Sequence, residues 1–312
     1  MNLPKKVGCV GSGTVGSSWA LLYAMRGYPV VSYDVDEKVI ARSDELVKNM
    51  LGTLVDHGIL PQSDTAPILQ RIRTTTRLDD MAGCDYLQES AVERLDVKIE
   101  LFKNLESIIG DEAIIASSTS GLSMTQIQGG LNKPGRTVIA HPFNPPHLMP
   151  LVEIVMGDRT SVSTAETVQG FMESLGKIPV RVNKQLPGFA ANRLQTAVLR
   201  ESLAMLADGV VDADGLEKLM SAGLGLRWAF MGPIMTANLA GGSGGLAYYL
   251  EHFETLFRTV CETLSTWTVI PEPVKEEAKR QTELLVKDRS YPELVAWRDD
   301  GLIGILKKRD YL

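Results

Sequence analysis

Up to residue 182 the chain is punctuated by short runs rich in apolar and β-branched residues: KVGCV (6–10), VVSYD (30–34), RTTTRL (73–78), DYLQES (85–90), AIIASS (113–118), TVIAH (137–141), LVEIV (151–155) and PVRV (179–182). Their length and composition predict eight strands. Amphipathic stretches separate several of them. The stretch 96–109 places Ile99, Phe102, Leu105 and Ile109 on one helical face and meets a stop at Gly110. Strand–helix repetition predicts a mostly parallel sheet covered by helices. After LPGF (186–189) the strand signal fades, and helices are predicted over 190–208, 213–222, 246–267, 272–288 and 292–308. The expected organisation is an α/β domain over 1–185 followed by an all-α domain over 186–312. GGSGG (241–245) reads either as a loop beside a site or as an inert connector.

Composition narrows the possibilities without choosing among enzymes. The 312 residues are 44% hydrophobic and 22% charged, which suits a soluble protein with a substantial core. No apolar run reaches the roughly 18–20 residues needed to span a bilayer, so no membrane partner and a cytoplasmic location are expected. The net charge of -6 argues against nucleic acid as a partner. Cys9, Cys84 and Cys261 lie far apart, matching neither a disulfide framework nor a metal site, and no metal is expected.

The strongest local motif follows the first strand. Gly11, Gly13 and Gly16 form G-x-G-x-x-G at the start of an amphipathic helix, and a second strand ends at Asp34, eighteen residues beyond Gly16. This is the dinucleotide fingerprint of a Rossmann-type βαβ unit. The glycines admit a pyrophosphate close to the backbone, where the free N–H groups around Thr14 and Val15 favour its charge. Asp34 suits a ribose 2′-hydroxyl and, with Asp36, repels a 2′-phosphate, so NAD is expected over NADP. FAD fits the same fingerprint.

A nicotinamide cofactor would require a base for the substrate's hydroxyl proton. Among four histidines, only His141 lies at the C-terminal end of a predicted strand, where open parallel sheets bind ligands. Glu153, on the next predicted strand, is placed to orient that imidazole. The prolines between them are expected to end the first strand and direct a short return. His147, in the connecting loop, is the weaker candidate.

GSGTVG (11–16), ESAVERLDVK (89–98), ASSTSGL (116–122), HPFNPP (141–146), LVEIV and PGFAANRL (187–194) occur in one order that resembles the L-3-hydroxyacyl-CoA dehydrogenase superfamily over most of the chain. Within it the chain most resembles the lambda-crystallin (L-gulonate 3-dehydrogenase) branch and next the L-carnitine dehydrogenases, and GLGLRWAFMGP (223–233) resembles those two branches much more than the acyl-CoA enzymes. The resemblance implies His141 as general base and Glu153 as its orienting partner. It also implies Ser120 and Asn144 as hydrogen-bonding partners of the substrate oxygen, Asn192 reaching the site from the helical domain, and Glu93 and Lys98 on the nicotinamide-ribose side of NAD. A homodimer formed through the helical domain is implied as well.

Two departures from the acyl-CoA enzymes point to a small hydroxy acid without CoA. The segment 43–72 carries one lysine and one arginine against four acids, where those enzymes have a lysine-rich hairpin. Arg227, beside Trp228, could clamp a free carboxylate through two parallel hydrogen bonds, or form a salt bridge between domains. The expected reaction is NAD-dependent oxidation of a free L-3-hydroxy acid, with L-gulonate the leading candidate. L-Carnitine stays open because Tyr248, Tyr249, Trp228 and Phe230 could receive a trimethylammonium. A 3-hydroxyacyl-CoA dehydrogenase, and an NAD-binding structural or sensor protein, are the remaining alternatives.

Overall fold

The computed structural model describes residues 3–311. Eight strands form one sheet: β1 (Val7–Val10), β2 (Val30–Tyr33), β3 (Ile72–Thr75), β4 (Tyr86–Glu89), β5 (Ile114–Ser117), β6 (Thr137–Pro142), β7 (Leu151–Val155) and β8 (Ile178–Val182). Their order across the sheet is β3-β2-β1-β4-β5-β6-β7-β8. Every neighbouring pair is parallel except β6 with β7. All eight predicted strands are present. The third is shorter than its sequence run, because Arg77 N–H turns back to Thr75 Oγ1 and Thr75 Oγ1 donates to Asp80.

Helices α1 (Thr14–Met25), α2 (Glu37–Asp56), α3 (Thr65–Gln70), α4 (Leu95–Ile108), α5 (Met124–Ile127) and α6 (Val162–Ser174) accompany the strands. Alternation along buried strands feeds two cores. One packs Val7, Cys9, Val30, Tyr86 and Val138 against Trp19 and Tyr23 of α1 and Phe171 of α6. The other packs Val10, Val31, Leu87, Ile115 and Ile139 against Phe102 and Leu105 of α4.

The remaining helices are α7 (Ala191–Ala207), α8 (Ala213–Lys218), α9 (Gly225–Trp228), α10 (Pro233–Ala240), α11 (Gly245–His252), α12 (Glu254–Thr263), α13 (Glu272–Val286) and α14 (Tyr291–Lys308). The continuous helix expected over 246–267 is two, divided at Phe253, where no glycine or proline announces the break. The run expected over 213–222 ends as α-helix at Lys218 and continues as a π-helical stretch, Leu219–Leu224. No described helix is long and apolar enough to cross a membrane.

The chain forms two compact units, residues 1–193 with 295–312 and residues 194–294. The sequence division at 185/186 marks the end of the strands, whereas compactness divides the chain differently at its end. Ile303 and Leu306 of α14 are buried in the core containing Trp19 and Phe171. Lys307 Nζ also donates to the His57 carbonyl of α2's C-cap at 2.5 Å. Such long-range burial leaves no mark in a helix's own periodicity.

The return from β6 to β7 is fastened at its middle. Ser18 Oγ of α1 accepts the His147 backbone N–H at 2.8 Å and lies 2.8 Å from its Nδ1. Lys177 Nζ donates to the Pro146 and Met149 carbonyls on either side. His147 is therefore a structural histidine. Its burial, with Lys177 and Arg298 nearby, pushes the imidazole down to about 3. The ring folds neutral, while an unfolded chain takes up its proton near pH 6.5. Stability should thus be present above that pH and fall as the solution is acidified through it, by roughly 2 kcal/mol at pH 5 from this group. In urea melts between pH 7 and pH 5, His147→Asn, which retains an acceptor near Ser18, should flatten the decline. An equally steep decline in the variant would remove His147 as its source.

Candidate active site

The dinucleotide fingerprint sits at the C-terminal edge of β1, where the sheet order runs β2-β1-β4 and a crevice opens. Its glycines have different physical tasks. Gly11 has φ 95°, and a Cβ there would lie 2.7 Å from the Ser90 backbone. A Cβ on Gly16 would come within 1.8 Å of the Gly11 carbonyl oxygen. Around Gly13, by contrast, no heavy atom would lie within 4 Å of an added Cβ. That open side faces the start of α1, where no side chain caps Gly13 and the first turn carries no acid, so Thr14 and Val15 present an uncapped helix N-terminus.

Asp34 follows β2 and is tied by its own carboxylate, with Ser12 N–H donating to Oδ2 at 2.8 Å and Asp36 N–H to Oδ1 at 3.2 Å. A cavity of about 400 Å³ lies beside it, lined by Gly11, Gly13, Val35, Val39, Val92 and Leu101 among others. Apolar walls with one carboxylate at the rim fit a nucleoside whose ribose hydroxyls reach Asp34. The residues present therefore fit NAD.

His141 and Glu153 are direct partners in the antiparallel β6–β7 ladder. The pairing brings His141 Nδ1 within 2.8 Å of Glu153 Oε2, with both residues buried. The other carboxylate oxygen accepts the backbone N–H groups of Ala190 and Ala191 at 3.0 Å each, at the beginning of α7. Burial raises the Glu153 carboxyl, but the hydrogen bonds from His141, Ala191 and Ala190 outweigh it and hold the group below its ordinary value. Glu153 is thus a fixed anion, and it directs His141 Nδ1 inward. Phe143 and Phe189 flank the imidazole at 5.8 and 5.5 Å between ring centroids, limiting its rotation.

A second polar cluster, part buried and part exposed, lies where β4 and β5 end. Glu93 Oε1 accepts Thr119 Oγ1 at 2.5 Å and Ser120 N–H at 3.1 Å, while Oε2 lies 3.5 Å from Lys98 Nζ. Lys98 is only 1% exposed and its ammonium lies 2.5 Å from Glu89. Removing one member of such a buried pair typically costs 3–5 kcal/mol. Asn192 Nδ2 donates to the Ser120 carbonyl at 3.2 Å, which brings the two residues together. Asn192 belongs to the compact unit containing the sheet. Ser120 is exposed, and the cap of α5 is supplied by Ser123 instead, which leaves the Ser120 hydroxyl for other partners. Asn144 is exposed in the β6–β7 return, three residues beyond His141, and the peptide bond to Pro145 is cis.

In the second unit, Arg227 is exposed on α9, directly after the π-helical stretch, and no acid of that unit pairs with it among the described residues. Sequence reasoning did not single out Glu89, Ser117, Thr119, Phe189 or the Ala190 and Ala191 amides. Glu89 carried one usable signal: an acid at the end of a strand run, nine residues before a lysine.

Together the nucleotide crevice and the carboxylate-oriented histidine define an NAD-dependent oxidoreductase acting on CH–OH groups. Residues 6–185 match the 3-hydroxyacyl-CoA dehydrogenase NAD binding domain and residues 188–278 match the 3-hydroxyacyl-CoA dehydrogenase C-terminal domain, and the chain belongs to this family. An L-carnitine dehydrogenase of Nocardiopsis dassonvillei is 38% identical over 308 residues, covering 97% of this chain and 91% of the relative. The lambda-crystallin homolog of Homo sapiens is 34% identical over 310 residues, covering 96% of each. Among solved structures, 5-formyl-3-hydroxy-2-methylpyridine 4-carboxylic acid 5-dehydrogenase, an NAD+ dependent dismutase, is similar with a TM-score of 0.82 and 27% identity, over 98% of this chain and 97% of that one.

The unequal glycines give a direct test. Gly13→Ala should melt within a degree or two of wild type yet bind NADH at least about tenfold more weakly in a fluorescence titration, since its methyl enters space left for the pyrophosphate. Gly16→Ala should lose thermal stability outright. Equal NADH affinity in Gly13→Ala would show that the open side is not the phosphate cradle.

Proposed function

We propose that the protein oxidises the 3-hydroxyl of a small hydroxy acid bearing a free carboxylate to the corresponding 3-oxo acid. The observation that carries this reading is the buried His141–Glu153 pair. With its Nδ1 proton donated to Glu153, His141 keeps a lone pair on Nε2 and accepts the substrate's hydroxyl proton there. Glu153 stabilises the imidazolium that forms and is itself held by two amides, so little reorganisation accompanies the transfer. Ser120, Asn144 and Asn192 hydrogen-bond the reacting oxygen and fix its direction. Bound NAD supplies the hydride acceptor. Glu93 and Lys98 shape its nicotinamide-ribose side, and Asp34 receives the adenosine ribose.

A free acid is supported from three directions. The stretch 43–72, which includes most of α2 and all of α3, offers one lysine and one arginine against four acids, a poor surface for a polyanionic thioester. Arg227 is exposed and available to a carboxylate. One relative is named for L-carnitine and one solved structure for a pyridine-carboxylic acid, and neither name carries a CoA thioester. L-Carnitine is accordingly the first substrate candidate. L-Gulonate, the leading candidate from the sequence, is second and is supported by the lambda-crystallin homolog. The same reading places the protein in the cytoplasm as a homodimer. Phe257 of α12 is 71% exposed in a cavity of about 590 Å³ whose lining is mostly apolar, with Tyr249, Phe253, Leu256 and Val260 beside Glu251 and Glu254, a surface suited to a second copy.

Purified protein offered NAD with L-carnitine, L-gulonate, 3-hydroxybutyrate and 3-hydroxybutyryl-CoA should produce NADH absorbance with a free acid. Turnover of the thioester alone would end the free-acid reading and the role given to Arg227. His141→Ala should lower kcat by about 10² to 10⁴ with NADH affinity nearly unchanged. Arg227→Ala should raise KM for the active acid by at least about tenfold, because it removes a charge-assisted contact.

A further inference from the structure

We propose that Glu89 is a positioning residue, holding the backbone that presents Ser120 both directly and through Lys98 and Glu93. The inference rests on the reading of Ser120 as a substrate-binding group. Glu89 ends β4 with 0% exposure and makes three short contacts. Its Oε1 accepts Lys98 Nζ at 2.5 Å and Ala91 N–H at 2.6 Å, and its Oε2 accepts Ser117 Oγ at 2.6 Å. Ser117 in turn accepts Thr119 N–H at 3.1 Å. One oxygen of Glu89 therefore holds the start of the 117–121 loop.

The other oxygen controls the loop's far end. Lys98 lies between two carboxylates, at 2.5 Å from Glu89 and 3.5 Å from Glu93. Because Glu89 takes the closer contact, the 44%-exposed Glu93 is not drawn fully onto the ammonium, and its Oε1 remains on Thr119 Oγ1 and Ser120 N–H. If Glu89 loses its charge, the buried ammonium has one anion left, and pairing drives it to complete that contact. Glu93 then shifts toward Lys98 and releases Thr119 and Ser120. Bulk packing does not require this arrangement, since a glutamine fills nearly the same volume.

Glu89→Gln tests the link with a measurement that needs no substrate. Amide hydrogen exchange in a peptide covering 118–122 should be at least tenfold faster than in wild type, while peptides covering β1 and β6 keep their rates. With the active acid, kcat/KM should fall about tenfold or more. Combined with Ser120→Ala, the two losses should not multiply, because both variants disable the same contact. Glu89→Asp, which keeps the charge but is one methylene too short to reach both Lys98 and Ser117, should change exchange in the same direction and serves if the glutamine variant does not fold. Unchanged exchange at 118–122, exchange raised evenly across the sheet, or multiplicative losses with Ser120→Ala would overturn the proposal. Failure of every substrate to turn over would overturn the reaction reading, while the exchange result would still decide the role of Glu89.

Discussion

The active site depends on one reversal of chain direction. Six of the seven neighbouring strand pairs are parallel, and only β7 runs against its neighbour β6. A parallel β7 would require a crossover of a dozen or more residues and would align its C-terminal end with that of β6. The antiparallel return places mid-strand Glu153 opposite His141, at the sheet edge where ligands bind, using only eight intervening residues. The fastening of that return by Ser18, His147 and Lys177 follows from the same constraint, because the register sets the histidine–carboxylate distance.

Charge in this site is arranged so that each buried ionic group has a counterpart. Glu153 meets an imidazole and two amides, and Lys98 meets Glu89 before it meets Glu93. Ser120 and Asn144, proposed to meet the substrate, are neutral and exposed. Fixed charges behind and neutral hydrogen-bonding groups in front suit the proposed reaction, whose only transient charge in the protein is one imidazolium.

Much of this was legible in local sequence. Eight short runs became eight strands: the six inner ones are buried on both faces and advertise themselves by composition, whereas β3 and β8, at the sheet's ends, are only partly buried and were read from β-branched residues. The fingerprint glycines and Asp34 could be read because their spacing is set by a single βαβ unit. His141 and Glu153 were readable from their place on successive strands. Glu89 escaped notice because its role depends on Ser117 and Lys98, brought to it by the β4–β5 pairing and the start of α4, which no local pattern records. The division at Phe253 and the packing of α14 with the sheet escaped for a related reason: tertiary burial, not propensity, decides where those helices go.

The three fingerprint glycines show how a short motif can answer to two different demands. Gly11 and Gly16 are required by the chain's own geometry, one by its backbone angle and a nearby peptide, the other by a carbonyl almost touching it. Gly13 meets no such steric demand, since a Cβ there would have no heavy atom within 4 Å. A lineage that kept its fold but lost its need for a dinucleotide would be free to drift at Gly13 while remaining bound at the other two. The middle glycine would then be the first place where the sequence recorded a change of occupation.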